Sequence, residues 1–213
     1  MQQIETLIIL DFDGTILDSS RAWFDVYQNY CKNNNLTISD QIKQNQYNFS
    51  YSACFEAIKS TYNTIQLSMA QITSLNEIAK EVYNKISPKA GFAEFVKIKQ
   101  ALRSNIIIIS REEPDLIKSY LKQRQIFEIS EVLQDCNKNR TRADFYTDFS
   151  KMYSCKMQNV TLIDDSLSHC RTAKQLGVFV VGINDNHSVG RQKQMKLICD
   201  VYVNDFTPIL NYE

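Results

Sequence analysis

The chain has 213 residues, 44% of them hydrophobic, and its 24 Lys+Arg balance its 24 Asp+Glu. That length suits one large domain or a core with a smaller insert, and so apolar a composition excludes a disordered chain. A formal net charge of zero provides no field to gather nucleic acid or an anionic membrane, so neither is expected as a partner. The six cysteines (Cys31, Cys54, Cys136, Cys155, Cys170 and Cys199) are scattered, with no C-x-x-C pair. Such spacing argues against a zinc site and a disulfide framework and suits a reducing cytosol. The opening MQQIETLIILDFDG has no basic n-region, and its apolar run is too short to span a bilayer, so a cytoplasmic protein is expected.

In chain order, Thr6 to Leu10 (TLIIL) reads as the first buried strand. From about Ser20 to Ser87 no buried strand follows, but apolar residues recur at helical spacing: Trp23, Tyr27 and Tyr30; Phe55, Ile58 and Tyr62; Leu75, Ile78, Val82 and Ile86. These stripes predict the interior of a small helical bundle. The Gln/Asn-rich piece Gln41 to Asn48 is expected to be an exposed loop within it, and Pro88 and Gly91 mark the return to the sheet. Beyond them come a strand at Asn105 to Ile109 (NIIII), a helix at Glu113 to Gln123 and a weaker strand at Ile129 to Leu133. A helix at Ala143 to Tyr153, a strand at Val160 to Ile163, a helix at Ser168 to Leu176 stopped by Gly177, and a strand at Val178 to Ile183 complete the pattern. Continuous apolar strands alternating with helices predict an α/β protein with a Rossmann-like, doubly wound parallel sheet. The expected division is a core of residues 1–18 and 88–213 and an all-helical insert of residues 19–87.

The strongest chemical signal is Leu10-Asp11-Phe12-Asp13-Gly14-Thr15. In extended chain, positions i and i+2 point the same way, so Asp11 and Asp13 can face one site just beyond a buried strand. Acids held that close repel, and a proton or a cation such as magnesium must relieve them. A turn or a helix cap would explain one of these aspartates, but two ending an apolar strand outweigh it. A second pair, Asp164 and Asp165, ends another strand and offers hard oxygen ligands, although an N-cap role is open to one of them. Ser110 ends the NIIII strand and, with Arg111 beside it, is a candidate to bind phosphate. Lys138, Arg140 and Arg142 form a basic cluster ahead of the next helix, where one cation could offset the gathered negative charge.

In order and placement these motifs resemble the haloacid dehalogenase-like hydrolase superfamily, over roughly residues 5–18 and 88–206. The resemblance implies that Asp11 is the nucleophile and that Asp13 is the general acid and then base, its carbonyl also binding Mg2+. It implies that Ser110 holds the phosphoryl group, that Asp165 is a direct metal ligand and that Asp164 supports it. The insert resembles the family's helical cap, which shapes substrate choice. Two departures stand out. Spacing back from Asp165 puts Arg140 where the family usually has lysine, with Lys138 as its rival, and arginine is not a neutral exchange for lysine. His169 stands where many members carry a further aspartate and is expected to be a helix-surface histidine. The expectation is a magnesium-dependent phosphatase acting on a small phosphorylated metabolite. The alternatives are a sugar phosphomutase and a non-catalytic binder of a phosphorylated ligand. Nothing in the residues addresses oligomeric state.

Overall fold

The computed structural model describes residues 6–135, 141–186 and 191–212. Strand β1 (Leu7–Leu10) leads into helices α1 (Ala22–Asn33), α2 (Asp40–Gln44), α3 (Tyr51–Thr61) and α4 (Met69–Asn84). After Pro88 come α5 (Phe92–Ala101), β2 (Asn105–Ser110), α6 (Pro114–Gln123), β3 (Glu131–Gln134) and α7 (Arg142–Met152). The chain ends with β4 (Val160–Asp164), α8 (Leu167–Gln175), β5 (Phe179–Ile183), α9 (Gln192–Ile198) and β6 (Val201–Val203). It divides into two compact units, one made of the residues up to Asp18 together with those from Pro88 onward, the other Ser19–Ser87.

In the first unit the six strands lie in the order β3-β2-β1-β4-β5-β6, all parallel, so the α/β expectation holds. The chain fills one side of β1 and then crosses to fill the other. A sheet built this way leaves its crevice at the carboxyl ends of the central strands. Ile9 is level with Ile107 on one side and Leu162 on the other, so alternate residues of three strands share a face. Leu7, Ile9, Ile107, Ile109, Val160 and Leu162 form one such face, buried under Phe145, Tyr146 and Phe149 of α7 and Cys170 and Ala173 of α8. The insert departs and returns at one place: Leu17 bridges Pro88, and the Lys89 N–H donates to the Ile16 carbonyl at 2.8 Å. Gly177, at φ +79°, follows the last turn of α8 and takes the left-handed conformation that closes a helix.

In the second unit Trp23, Tyr27 and Tyr30 of α1 are buried with Ile58 of α3 and Leu75, Ile78 and Val82 of α4. Ser50 caps α3, and Ser68 and Gln71 form a reciprocal capping box at the start of α4. The expected loop at Gln41 to Asn48 is helical instead, with α2 followed by a 3-10 turn at Gln46–Asn48. The Ser39 hydroxyl accepts from the Ile42 N–H and supplies the cap that the polar composition concealed. Tyr62 lies just past α3 and is exposed, not core. Among the described residues no helix is long and apolar enough to cross a membrane, and five cysteines are free thiols.

Candidate active site

The site is built on β1 and β4. The Asp11 N–H donates to the Ile163 carbonyl at 3.1 Å, extending the ladder one residue past β1. Phe12 turns to the opposite side, fully buried, and meets the Tyr120 ring edge-on at 5.5 Å. Asp11 therefore continues the face of Leu7 and Ile9, and Asp164 continues the face of Leu162. Oxygens of Asp11, Asp164 and Asp165 lie within 4.8 Å of one another.

Each carboxylate is held. The Thr15 hydroxyl accepts from the Asp165 N–H at 3.0 Å and donates to Asp165 Oδ1 at 3.1 Å. Asp164 is completely buried. Its Oδ1 accepts from the Ser166 N–H at 2.7 Å, and its Oδ2 lies 3.0 Å from His169 Nδ1. His169 is half-buried, because α8 begins so soon after β4 that its first turn carries the ring back to Asp164. An ionised Asp164 requires that the proton of the ring sit on Nδ1.

Gathering these acids is costly. Burial, with repulsion from Asp164, Asp165 and Asp13, raises the Asp11 carboxyl well above its ordinary range, although Arg142 opposes the rise. Burial and the charges of Asp164 and Asp185 push Asp165 up to about 7 against the pull of Thr15 and Lys89. Oxygen-only donors packed this closely match a hard divalent cation such as Mg2+ and do not match a thiolate- or imidazole-seeking one.

Gly14 fits the same purpose. At φ +77° it occupies a conformation that a side chain resists, and a Cβ there would lie 2.7 Å from the Asp165 carboxyl carbon. Gly14→Ala is expected to cost about 1–2 kcal/mol of stability for the backbone. By displacing Asp165 it should also weaken divalent binding at least about tenfold. Calorimetric titration with Mn2+ checks this, and an unchanged affinity would show that Asp165 has room to yield.

Ser110 is 2% exposed at the end of β2, and its hydroxyl accepts from the Glu112 N–H at 3.1 Å, leaving its own proton to donate. Arg111 is exposed, with its carbonyl accepting from Gln134. Lys138 and Arg140 lie outside the described residues. The cation seen beside Asp11 is Arg142, which the sequence marked only as the third member of the basic cluster. Its Nη2 lies 3.5 Å from Asp11 Oδ1, its Nη1 donates to the Ile109 carbonyl at 3.4 Å, and its Nε lies 2.8 Å from Asp135 Oδ2. Burial disfavours its charge, but Asp11, Asp164 and Asp135 more than offset that.

Lys89 is a second cation that sequence reasoning missed. Its ammonium donates to the Gly14 and Asn184 carbonyls, joining the loops after β1 and β5. Burial lowers its pKa, against the opposing charges of Asp165, Asp185, Asp18 and Asp205. A lone lysine in Ser-Pro-Lys-Ala-Gly offers no signal beyond its place at the return to the sheet.

A family model described as haloacid dehalogenase-like hydrolase matches residues 8–183. Among solved structures, a Thermotoga maritima protein provisionally named a β-phosphoglucomutase is 16% identical, with TM-score 0.74 over 97% of this chain and 97% of that one. A Haemophilus somnus protein assigned by prediction as a phosphoglycolate phosphatase is 16% identical, with TM-score 0.66 over 99% and 98% of the two chains. A β-phosphoglucomutase from Clostridium difficile is 15% identical, with TM-score 0.65 over 97% and 93%. No curated protein matches the chain at a significant level. At these identities the structural likeness establishes the fold.

Proposed function

Because this chain belongs to the haloacid dehalogenase-like hydrolases, we propose that it is a magnesium-dependent phosphatase acting on a small phosphorylated metabolite through an aspartyl-phosphate intermediate. The observation that carries this reading is the convergence of Asp11, Asp164 and Asp165 at the carboxyl ends of two adjacent parallel strands, with Arg142 beside Asp11 and Ser110 at the end of the neighbouring strand β2. Asp11, Asp13, Asp164 and Asp165 would hold the cation, Asp13 through its carbonyl. A bound magnesium ion would supply charge neutralisation for the phosphoryl group in transfer.

A carboxylate oxygen of Asp11 attacks phosphorus, forming a new P–O bond as the bond to the ester oxygen breaks. Asp13 gives its proton to the departing alcohol. Water then attacks the aspartyl-phosphate and yields its proton to Asp13, releasing phosphate and restoring Asp11. Ser110 donates to a phosphoryl oxygen, and Arg142 holds Asp11 while adding positive charge. The helical unit Ser19–Ser87 is assigned the selection of substrate. A cytoplasmic setting accords with the free thiols.

Hydrolysis of an aryl phosphate, with Mg2+ and with a chelator, tests the proposal. Magnesium-dependent release of phosphate matching the release of phenol supports it. The names of two structural relatives raise a sugar phosphomutase as the second reading. Transfer of the phosphoryl group to a sugar phosphate in preference to water would favour that reading, and the absence of any magnesium-dependent turnover would overturn both.

A further inference from the structure

Strand β4, which ends at Asp164 and leads directly to Asp165, lies between β1 and β5 in the sheet. Strands β1 and β5 do not pair, so no ladder hydrogen bond can join the loops that follow them. The Lys89 ammonium makes that join. It donates to the Gly14 carbonyl in the loop after β1 and to the Asn184 carbonyl in the loop after β5. A compact cation with three donors on a flexible stem suits a bridge between two such carbonyls.

The two ends of the bridge differ. At Gly14 it grips the loop that carries the chemistry. Asp13 precedes Gly14, and Thr15 follows it and holds Asp165 by bonds of 3.0 and 3.1 Å. The Asp165 carboxyl packs so close over Gly14 that a Cβ there would lie 2.7 Å from its carbon. A shift of the Gly14 peptide would therefore move Asp13, Thr15 and Asp165 together. The Asn184 end is the anchor. Its N–H donates to the Val203 carbonyl at 2.8 Å, and its Oδ1 accepts from the Tyr202 hydroxyl at 3.1 Å and from Gln192 Nε2 at 2.9 Å. The backbone of Lys89 is held as well, by its bond to the Ile16 carbonyl beside the Leu17–Pro88 bridge. Burial disfavours the charge of this lysine, and an apolar side chain of similar length would fill the space without that cost. What the ammonium adds is the bridge.

We propose that Lys89 is a positioning residue for phosphoryl transfer, whose ammonium ties the Asp13–Thr15 loop to the end of β5 and so fixes Asp165 at the cation site. The proposal rests on reading Asp11, Asp164 and Asp165 as that site. Lys89 acts through Gly14 and Thr15 and makes no contact with substrate.

Lys89→Met keeps the length of the side chain and removes its donors. Titration calorimetry should show Mn2+ bound about tenfold more weakly, the scale for losing an outer partner of a ligand. With aryl phosphate at saturating Mg2+, kcat should fall about tenfold while KM changes less than about twofold. Thermal scans in chelator establish that the variant is folded at the assay temperature. If it is not, Lys89→Gln, which keeps an amide donor for one of the two carbonyls, takes its place under the same outcomes. A folded variant with wild-type Mn2+ affinity and kcat, and only a lower melting temperature, would reduce the bridge to a structural tie and overturn the proposal. A raised KM with kcat retained would place Lys89 on the substrate and overturn it too. Wild-type protein that binds no Mn2+ would instead defeat the reading of the cluster as a cation site, and the same titration separates the two failures.

Discussion

Asp11→Asn is expected to abolish phosphatase turnover, by at least about 10³-fold, while leaving the protein folded. The amide has nearly the volume and shape of the carboxylate, so the burial beside Ile163 and Arg142 is kept, but the carboxylate oxygen proposed to attack phosphorus is gone. Stability should move in the opposite direction when chelator is present. The native Asp11 carboxyl is raised above its unfolded value, chiefly by burial and next by Asp164. A raised acid destabilises the fold above the unfolded pKa, by an amount that grows with pH and levels off above the native value. The gap between variant and wild type should therefore be absent below about pH 4 and open as pH rises. A gain of about 1 kcal/mol at neutral pH would appear as about 2–4 °C in melting temperature. Excess Mg2+ should reverse the order, because binding stabilises whichever protein holds the cation more tightly. Thermal scans with chelator and with Mg2+, at acid and neutral pH, check every part. If Mg2+ raised both melting temperatures equally, Asp11 would not be a ligand.

The parallel sheet was legible because its strands are continuous apolar runs: TLIIL, NIIII, VTLI and VFVVGI all occupy the sheet. Three residues of β6 at the sheet edge, only one of them fully buried, carry too little periodicity to be read. Helix α5 does bury Phe92, Phe95, Val96 and Lys99 at helical spacing, but a lysine in that stripe conceals the face. In the site, the acids were legible because strand ends place them without reference to any distant loop. The cations were not. Which of Lys138, Arg140 and Arg142 meets Asp11 depends on where α7 begins, and counting back from Asp165 assumes a loop length. The capping box of Thr141 and Asp144 starts the helix at Arg142 and directs that side chain onto the sheet. His169 and Lys89 reach the cluster through the first turn of α8 and the crossing at Leu17–Pro88, contacts with no local signature.

Arg142→Met is expected to lower kcat about 10²–10³-fold, the scale for losing one donor aimed at developing charge. One guanidinium spans Asp11, Asp135 and the Ile109 carbonyl, and its side chain is 7% exposed. Removing it leaves Asp11 and Asp135 without their shared cation in a poorly solvated place, so stability should fall by about 3 kcal/mol. That loss should shrink in Asp11→Asn/Arg142→Met, where one of the stranded charges is already absent, and the double-mutant cycle measures the coupling directly. Arg142→Lys keeps the charge but gives up the planar fork. An ammonium cannot reach Asp11, Asp135 and the Ile109 carbonyl together, and activity should fall between wild type and the methionine variant. Arg140→Met is the comparison that decides the assignment. An effect on kcat smaller than that of Arg142→Met keeps the role with the guanidinium that the fold places beside Asp11. The reverse order would transfer it to Arg140 and leave Arg142 as the clamp that joins α7 to the ends of β1 and β2.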